Sequence, residues 1–342
     1  MQIHDKSASG NDKTTINQTN GFGRIVNRIK DLDEGGTLFV LFVLIVVFSF
    51  LSPQFLTLNN TMNISRQITE VTIAAIGVTF VIITGEIDLS SGAVYGLAGT
   101  VFAYLMASGT DPTISFLVAM VLSVAIGTIS GTIVTKLRVP AFIITLAMMM
   151  ILRGCVYIIT QGRQIIGVPK DNWVFLLGAR INDVFPVQVI LMIMLVVIFS
   201  FILKNTTFGF NVYATGGNIR AAEVSGINTS RVKITCFALA SGLAGLAGII
   251  SVTYLGSLYP TAGSGREMDV VAACILGGTA LAGGIGTIFG TLIGATIIGI
   301  IKNALVLLGV ESYYQSAAIG IVILIGIIVD TIVRRRKMQR LG

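Results

Sequence analysis

Apolar residues in this chain occur in long runs that are separated by short polar stretches. A helix needs about 20 apolar residues to cross the hydrocarbon core of a bilayer, and most of these runs approach that length. Apolar and polar positions do not alternate within the runs, so the pattern predicts helices rather than the strands of a membrane barrel. We therefore predict an all-α, polytopic membrane helix bundle of about ten transmembrane helices. The predicted spans are 38–52, 66–84, 91–108, 113–135, 141–160, 187–204, 233–254, 268–282, 285–308 and 314–333.

Polar segments divide the chain into three parts. Residues 1–36 form a polar tail, residues 37–333 form the transmembrane domain, and residues 334–342 form a basic tail. Two further hydrophilic segments interrupt the domain. Residues 161–186 are expected outside the cell, and residues 205–232 are expected to be the longest connection on the cytoplasmic side.

The eighth and ninth predicted spans are separated only by Ala282, Gly283 and Gly284. A turn between two helices and a break within one helix therefore both remain open at this point. The spacing of Gly, Ser and Thr in 76–99 resembles that in 275–294, and both an internal repeat and chance similarity in a glycine-rich membrane protein remain open. The repeat would be parallel, because both halves start from the outside in this topology.

The composition supports a membrane location. Hydrophobic residues make up 54% of the chain and charged residues only 11%, whereas soluble domains carry about 25% charged residues. Of the 23 Lys and Arg residues, we place sixteen on one side, five on the other and two within spans. Because cytoplasmic loops collect positive charge, this distribution predicts that both termini are cytoplasmic. The net charge of +7 thus reflects topology, and since the basic residues flank spans, we predict no nucleic-acid partner.

Groups that could carry covalent chemistry are scarce. The only histidine is His4, in the N-terminal tail, and Cys155, Cys236 and Cys274 are isolated within apolar runs. We predict that these cysteines are buried and form neither a disulfide nor a metal site. The glycine-rich run 277–286 lacks the Gly-Lys-Ser/Thr of a nucleotide-binding loop. The sequence therefore predicts a chain that is not an enzyme, that binds no cofactor and that has no ATP site of its own.

Charged residues at membrane depth are also few. Arg153 and Lys302 lie within predicted spans, and no acidic partner for either is evident from the sequence. Three carboxylates lie near span ends, where we expect them to be interfacial: Glu70, Asp269 and Asp330. Because ion-driven carriers need acidic or histidine relays inside their spans, this pattern argues against a secondary transporter.

Glycines recur at every fourth position in several spans, which allows close helix packing. The glycines concerned are Gly92 with Gly96, Gly127 with Gly131, and Gly286 with Gly290 and Gly294. Packing is the simpler interpretation of these residues, and a sliding or gating interface is the alternative.

A short helix is predicted in the cytoplasmic segment. Asn218 is a good N-terminal cap for a helix over 219–225, and Gly226 suits its C-terminal end. Asn228 is suited to cap the following span. A helix this short is unstable in water unless it docks on something. Two alanines make it thin, so docking on a partner and packing against its own bundle both remain open.

Four segments of the chain are similar to one transporter family. The segment 213–228, YATGGNIRAAEVSGIN, resembles the coupling loop of permease subunits of sugar-type ABC importers. The segments 84–93, TGEIDLSSGA, and 260–294 also resemble this family, and 308–315, LGVESYYQ, matches its last outside loop. Together the motifs cover about 37–333 in the family's order, and the chain resembles the ribose permease family.

The resemblance implies a multi-pass permease in the bacterial inner membrane that forms the translocation path for a ribose-like pentose or a related sugar. It implies three protein partners: a cytoplasmic ATP-binding subunit with two nucleotide-binding domains, a periplasmic sugar-binding protein and a second copy of the chain. The candidate residues for coupling to the ATPase are Asn218, Ala221, Ala222, Glu223 and Gly226. The candidate pathway or gating residues are Glu86, Asp88, Ser90, Gly92, Gly277 and Gly278.

Members of the family carry ribose, allose, xylose, galactofuranose or autoinducer-2, and the sequence leaves the sugar open. The chain has Gly85-Glu86 where ribose permeases tend to have Ser-Gly. The local interpretation is that Asp88 caps the third span while Glu86 is solvated; the functional one places this turn beside the pathway or the ATPase. The alternatives for the whole chain are a stand-alone passive channel or secondary carrier, and an assembly scaffold.

Overall fold

The computed structural model of the chain describes residues 35–182 and 184–311, together with positions 314, 317, 320, 321 and 324. Most of the N-terminal tail, most of the tenth predicted span and the basic C-terminal tail lie outside the described residues. The helices are α1 Gly35–Leu51, α2 Leu58–Ile83, α3 Ser91–Ala107, α4 Pro112–Leu137, α5 Ala141–Thr160, α6 Val187–Asn205, α7 Thr207–Gly217, α8 Ile219–Val224, α9 Thr229–Leu255, α10 Arg266–Leu276 and α11 Ile288–Leu307.

The described part of the chain is an all-α bundle of apolar helices. Six helices are long and apolar enough to cross a membrane: α2, α4, α5, α6, α9 and α11. The apolar helices α1 and α3 are shorter, at 17 residues each. The only strands described are the two-residue β1 (Arg180–Ile181) and β2 (Phe185–Pro186), which pair antiparallel beside a 3₁₀ helix, Trp173–Gly178.

Helices α2 and α9 form the centre of the bundle. Helix α9 packs against α2, α3 and α4, and α2 also packs against α10 and α11. Glycine permits this close packing: a Cβ atom on Gly77 of α2 would lie 2.4 Å from the Cα atom of Ala240 in α9. Gly127 of α4 is equally close to the carbonyl of Phe237. The predicted packing role of glycine is therefore confirmed at Gly127 and extends to Gly77.

Helix α2 begins at Leu58, eight residues before the predicted second span. Thr57 caps it by accepting a hydrogen bond from the backbone N–H of Asn60. The hydropathy pattern missed this start because the first turns of α2 are polar, and asparagine is typical of loops. Asn60 is instead buried, and its amide group and that of Asn303 in α11 donate to each other's oxygens at 3.0 and 2.8 Å.

The eighth predicted span, 268–282, is wrong in its extent. Helix α10 ends at Leu276, where Gly278 adopts a φ of +88° that favours glycine. Its 11 residues span only about 16 Å at about 1.5 Å per residue, roughly half of a bilayer core. The non-helical segment 277–287 leads into α11, which runs back alongside α10. The two helices thus form a hairpin whose first arm is short.

The segment between α2 and α3 is longer than the short turn between the second and third predicted spans, and it runs back into the bundle. Tyr95, in the second turn of α3, donates a hydrogen bond of 2.8 Å to Glu70, which lies halfway along α2. Helix α3 therefore begins at mid-height of the bundle. Residues 84–90 run from the end of α2 back towards its middle and so connect the two helices. Asp88, Leu89 and Ser90 in this re-entrant segment are buried.

The N-terminal ends of α3 and α10 meet at this mid-height. Gly92 in the first turn of α3 lies against Glu267 in the first turn of α10, where a Cβ atom would be 2.2 Å from the Glu267 carboxylate. Gly96 lies against the carbonyl of Ala262, in the segment that leads into α10. Two short helices thus approach each other from opposite ends of the bundle, as in transporters with discontinuous helices.

Candidate functional site

The short helix α8 has the capping predicted from the sequence. The side-chain oxygen of Asn218 accepts a hydrogen bond of 3.0 Å from the N–H of Ala221. Gly226 follows the helix with a φ of +85°, a conformation that favours glycine. Asn228 caps α9 through a 2.9 Å hydrogen bond from Arg231 N–H. These local predictions are confirmed.

The candidate coupling residues of α8 do not all face outwards. Ala222 is 4% exposed and faces its own chain, whereas Ala221 and Glu223 are exposed. Glu223 also accepts a 2.8 Å hydrogen bond from the Thr229 hydroxyl. Val224 is 91% exposed, the highest value among the large exposed hydrophobic residues of the described chain, and the sequence analysis did not single it out. An apolar residue at the tip of a polar connection was the signal that could have identified it.

Five glycines bring three segments together at the end of the bundle that carries α8. We call this contact the glycine junction: Gly85, Gly216, Gly217, Gly283 and Gly284. The N–H of Gly284 donates a hydrogen bond of 2.8 Å to the carbonyl of Ile83, at the end of α2. Gly216, at the end of α7, packs against both of these residues. A Cβ atom on Gly216 would lie 1.7 Å from the carbonyl oxygen of Ile83 and 2.7 Å from the backbone nitrogen of Gly284. Any larger residue at 216 would push these backbones apart.

Side chains reinforce the glycine junction. The Lys233 ammonium group contacts the Glu86 carboxylate at 2.6 Å, linking α9 to the re-entrant segment. Tyr213 of α7 donates a 2.6 Å hydrogen bond to the carbonyl of Gly286. Glu86 is thus half-buried in an ion pair, and the interpretation of a solvated Glu86 is wrong. The segment before α8 is therefore connected to both non-helical segments of the bundle.

Asp88 and Ser90 lie deeper in the re-entrant segment. One carboxylate oxygen of Asp88 accepts hydrogen bonds from the N–H and the hydroxyl of Ser90, at 2.8 and 2.6 Å. Asp88 does not cap α3, because the capping residue is Ser90, whose side chain makes no capping bond. The second oxygen of Asp88 has no hydrogen-bond partner among the described residues. Thr145 of α5 holds the segment by accepting a 3.2 Å hydrogen bond from Leu89 N–H.

The six candidate pathway residues therefore lie at different levels. Glu86 lies at the glycine junction, Asp88 and Ser90 lie in the re-entrant segment, and Gly92 lies at mid-height. Gly277 and Gly278 end α10, and a Cβ atom on Gly277 would meet the carbonyl of Gly290 at 2.4 Å. The structure places these residues on the two non-helical segments and their flanking helices, without bringing them into one pocket.

A set of ion pairs at mid-height was missed by the sequence analysis. We call it the charged cluster: Glu70, Arg153, Arg266, Glu267, Asp269 and Lys302. Arg153 of α5 contacts both oxygens of Glu267, at 3.0 and 3.1 Å. Arg266 contacts Glu70 at 2.5 Å, and Lys302 of α11 pairs with Asp269. The expectation that Arg153 and Lys302 lack acidic partners is wrong.

The carboxylates of the charged cluster are buried, which corrects their predicted interfacial position. Glu70 is 3% exposed and Asp269 is 5% exposed. Glu70 lies 12 residues after Leu58 and 13 before Ile83, so it is about 18–20 Å from either end of α2. The signal was missed because the partners are distant in sequence, such as 114 residues for Arg153 and Glu267. Only packing reveals such pairs.

Comparison with known proteins identifies the family. A family model described as the branched-chain amino acid transport system permease component matches residues 60–327, which is most of the chain. The chain belongs to this permease family. It is a transporter subunit rather than an enzyme, and the relatives described next favour an ABC importer over a stand-alone carrier.

Several of the similar curated proteins are named as sugar permeases. The ribose import permease protein RbsC of Escherichia coli K12 is 43% identical over 304 residues, covering 87% of this chain and 94% of that protein. RbsC of Bacillus subtilis is 42% identical over 85% of this chain and 90% of its own length. The D-allose transport system permease protein AlsC of Escherichia coli K12 is 37% identical over 89% and 93%. No solved structure gives a significant match.

Proposed function

We propose that this permease imports ribose or a closely related monosaccharide, driven by ATP hydrolysis in a separate subunit. The relatives named for ribose and allose import support the sugar class, since each aligns along almost its whole length. The observation that carries the coupling mechanism is the glycine junction. It joins the segment before α8 to both non-helical segments of the bundle through backbone contacts.

The proposed topology has ten spans, with both termini in the cytoplasm of a bacterium and the chain in its inner membrane. In this topology residues 1–36 and 334–342 are cytoplasmic tails, and residues 37–333 form the permease domain. The ends of α4 and α6 and the start of α9 carry basic residues on the side of α8: Lys136, Arg138, Lys204, Arg231 and Lys233. Positive charge favours the cytoplasm, so this end is assigned to it.

The proposed coupling partner is a cytoplasmic ATP-binding subunit with two nucleotide-binding domains, one for each of two permease copies. Helix α8 would insert into a groove of each domain, with Ala221, Val224 and Ile219 in contact. Val224 and Ile219 are 91% and 41% exposed, and a partner surface would remove their apolar area from water. Asn218 and Gly226 set the ends of α8, and Ala222 fixes it against its own chain.

Movement of α8 would reach the pathway through the glycine junction. ATP binding draws the two ATPase domains together and shifts α8 with the end of α7. Because Gly216 fits against Ile83 and Gly284 without intervening side chains, the shift passes to 84–90 and 277–287. These segments carry Glu86, Asp88, Ser90, Gly277 and Gly278, which are proposed to gate the path along with Gly92. The two states alternate access to the sugar.

Two further proposals concern the docking site of the periplasmic binding protein and the internal repeat. A periplasmic sugar-binding protein would dock on the segment 161–186. The proposed repeat relates residues 76–99, which include the end of α2, to residues 275–294, which include the end of α10. Its support is that both halves consist of a helix, a non-helical glycine-containing segment and a second helix, in the same order.

The function is tested by reconstituting the permease with its ATPase and binding protein in vesicles, then measuring uptake of labelled ribose. We expect uptake that requires both ATP and the binding protein. Allose and branched-chain amino acids are added separately as competing solutes, to compare the two classes of substrate named for the family and its relatives. A control with a hydrolysis-deficient ATPase should show no uptake. ATP-independent uptake by the permease alone would instead establish a stand-alone carrier.

A further inference from the structure

The first turn of α10 is tied to three different helices by its charged residues. Arg266 pairs with Glu70 of α2, Glu267 pairs with Arg153 of α5, and Asp269 pairs with Lys302 of α11. Buried ion pairs add little net stability, because each pair requires the desolvation of two charges. The charged cluster therefore requires an explanation beyond packing.

The acidic side chains of the charged cluster are buried, whereas its basic side chains are partly exposed. The carboxylate side chains of Glu70, Glu267 and Asp269 are 2%, 9% and 7% exposed. The three cationic side chains are 32%, 27% and 31% exposed, for Arg266, Arg153 and Lys302 respectively. The bundle thus presents cations on an outer face and holds their counter-charges behind them. Ser264, which accepts a hydrogen bond from Arg153, is exposed on the same face.

Hydrocarbon is an unsuitable neighbour for this face. Charged side chains within membrane spans almost always face the bundle interior or a water-filled cavity, and they mark substrate pathways. Arg153 is held by Glu267 and Ser264, and Arg266 is held by Glu70 and lies over the Tyr95 ring, so neither extends to the membrane surface. The face therefore borders water rather than lipid.

The chemistry of the face suits a neutral polyhydroxyl solute. Each cation of this face is paired with a carboxylate, and together with Arg66, which shares Glu70, the four cations and three carboxylates carry a formal charge of only +1. The cluster therefore has little net charge to attract an ion. The Lys302 ammonium group carries three N–H donors and makes one contact in the described part of the chain, with Asp269. Fixed donors beside a serine hydroxyl can bind sugar oxygens, which both accept and donate hydrogen bonds.

We propose that Arg153, Ser264, Arg266 and Lys302 form a sugar-contacting wall of the translocation path, halfway across the membrane. The proposal rests on the proposed function and names the surface on which the sugar is passed. The buried carboxylates act as positioning residues that hold the cations in place. The wall lies where the two short helices α3 and α10 meet, so the alternation of access would expose it first to one side and then to the other.

Water access is tested with Ser264→Cys in a Cys155→Ala background, since Cys236 and Cys274 are buried. In vesicles containing the complete importer, a hydrophilic thiol reagent should label position 264, and binding protein loaded with ribose should slow labelling several-fold. The matched control is Ile151→Cys, two residues from Arg153 on α5 and 58% exposed, which should face lipid and remain unlabelled. A cysteine at 264 that is as unreactive as one at 151 would overturn the proposal.

Sugar contact is tested with the double variant Arg153→Met and Glu267→Gln, which leaves no unpaired buried charge. We expect membrane insertion and assembly with the ATPase to remain, while ribose uptake falls at least tenfold. Uptake at the wild-type rate would show that the pair has only a structural role. If the wild-type importer moves no ribose, the proposed function fails, whereas the labelling at position 264 still reports whether this face borders water.

Discussion

The glycine junction and the charged cluster hold different levels of the bundle together by opposite means. At the junction, backbones touch because side chains are absent, as with Gly216 against the carbonyl of Ile83. At mid-height, long side chains reach across gaps to form ion pairs, as with Arg153 and Glu267. Direct contact between backbones leaves no side chain that could absorb a displacement. The long side chains of an ion pair can change rotamer and so tolerate rearrangement. This difference is consistent with the proposed roles, which are transmission of movement at the junction and contact with the solute at the cluster.

The largest effect on stability is expected from Glu70→Ala. Glu70 is the counter-charge of both Arg66 and Arg266 and accepts a hydrogen bond from Tyr95. Its removal leaves the partly buried Arg66 and Arg266 without their counter-charge, which costs about 3 kcal/mol, the lower end of the cost of breaking a buried pair. Thermal unfolding of the purified permease in detergent should show a clear decrease in midpoint. The control Glu223→Ala removes an exposed carboxylate and should shift the midpoint little. Equal shifts for the two variants would contradict the role of the charged cluster.

The next largest effect is expected from Gly216→Ala. One methyl group would overlap the carbonyl oxygen of Ile83, and backbone atoms cannot rotate away. Overpacking of this kind costs about 1–3 kcal/mol, and it should uncouple ATP hydrolysis from ribose uptake. The neighbouring Gly217→Ala is a matched control, because no atom lies within 4 Å of the Cβ atom it would add. Uptake should remain near wild type for Gly217→Ala, and similar losses in both variants would refute the junction.

A smaller effect is expected from Asn218→Ala, which removes the cap of α8. Loss of such a cap costs about 0.5–2 kcal/mol, and here it acts on a helix of six residues. We expect faster hydrogen exchange at α8 and partial loss of ATPase copurification, while the membrane helices remain unchanged. Asn218→Asp retains a capping oxygen and should preserve both properties. Unchanged exchange in the alanine variant would show that α8 is held by other contacts.

The smallest effect on the isolated permease is expected from Val224→Asp. Val224 is 91% exposed, so the substitution should leave the free energy of unfolding within about 0.5 kcal/mol of wild type. It should nevertheless weaken binding to the ATPase subunit, because a charge would enter an apolar contact. Val224→Leu serves as the apolar control. Normal ATPase copurification with the aspartate variant would exclude Val224 from the docking surface.

Local features were predicted well from the sequence. The bounds 141–160 for the fifth span coincide with α5, and the caps of α8 and α9 are those expected from Asn218 and Asn228. Such features depend on residues within one or two turns of each other, so the pattern alone contains the information. The start of α2 was missed because the buried Asn60 is satisfied by Asn303, 243 residues away.

The candidate site was predicted less completely for the same reason. The motifs that resemble sugar permeases contain both non-helical segments, and they therefore include the glycines of the junction. The pairs of Arg153 with Glu267 and of Lys302 with Asp269 were missed, since no local pattern connects residues 114 or 33 positions apart. The short length of α10 was also missed, because apolar residues continue past the glycines that end the helix.

The sequence by itself determined that this chain is a bundle of apolar helices, that Asn218 and Asn228 cap α8 and α9, and which transporter family it resembles. Hydrophobic runs and capping residues act through local hydrogen bonds and through the solvent, so they need no knowledge of the fold. The tertiary structure alone decided that α3 and α10 meet at mid-height, that three ion pairs surround α10 and that Gly216 touches Ile83. These contacts depend on how the helices pack, because packing brings together charges and backbones that are far apart along the chain.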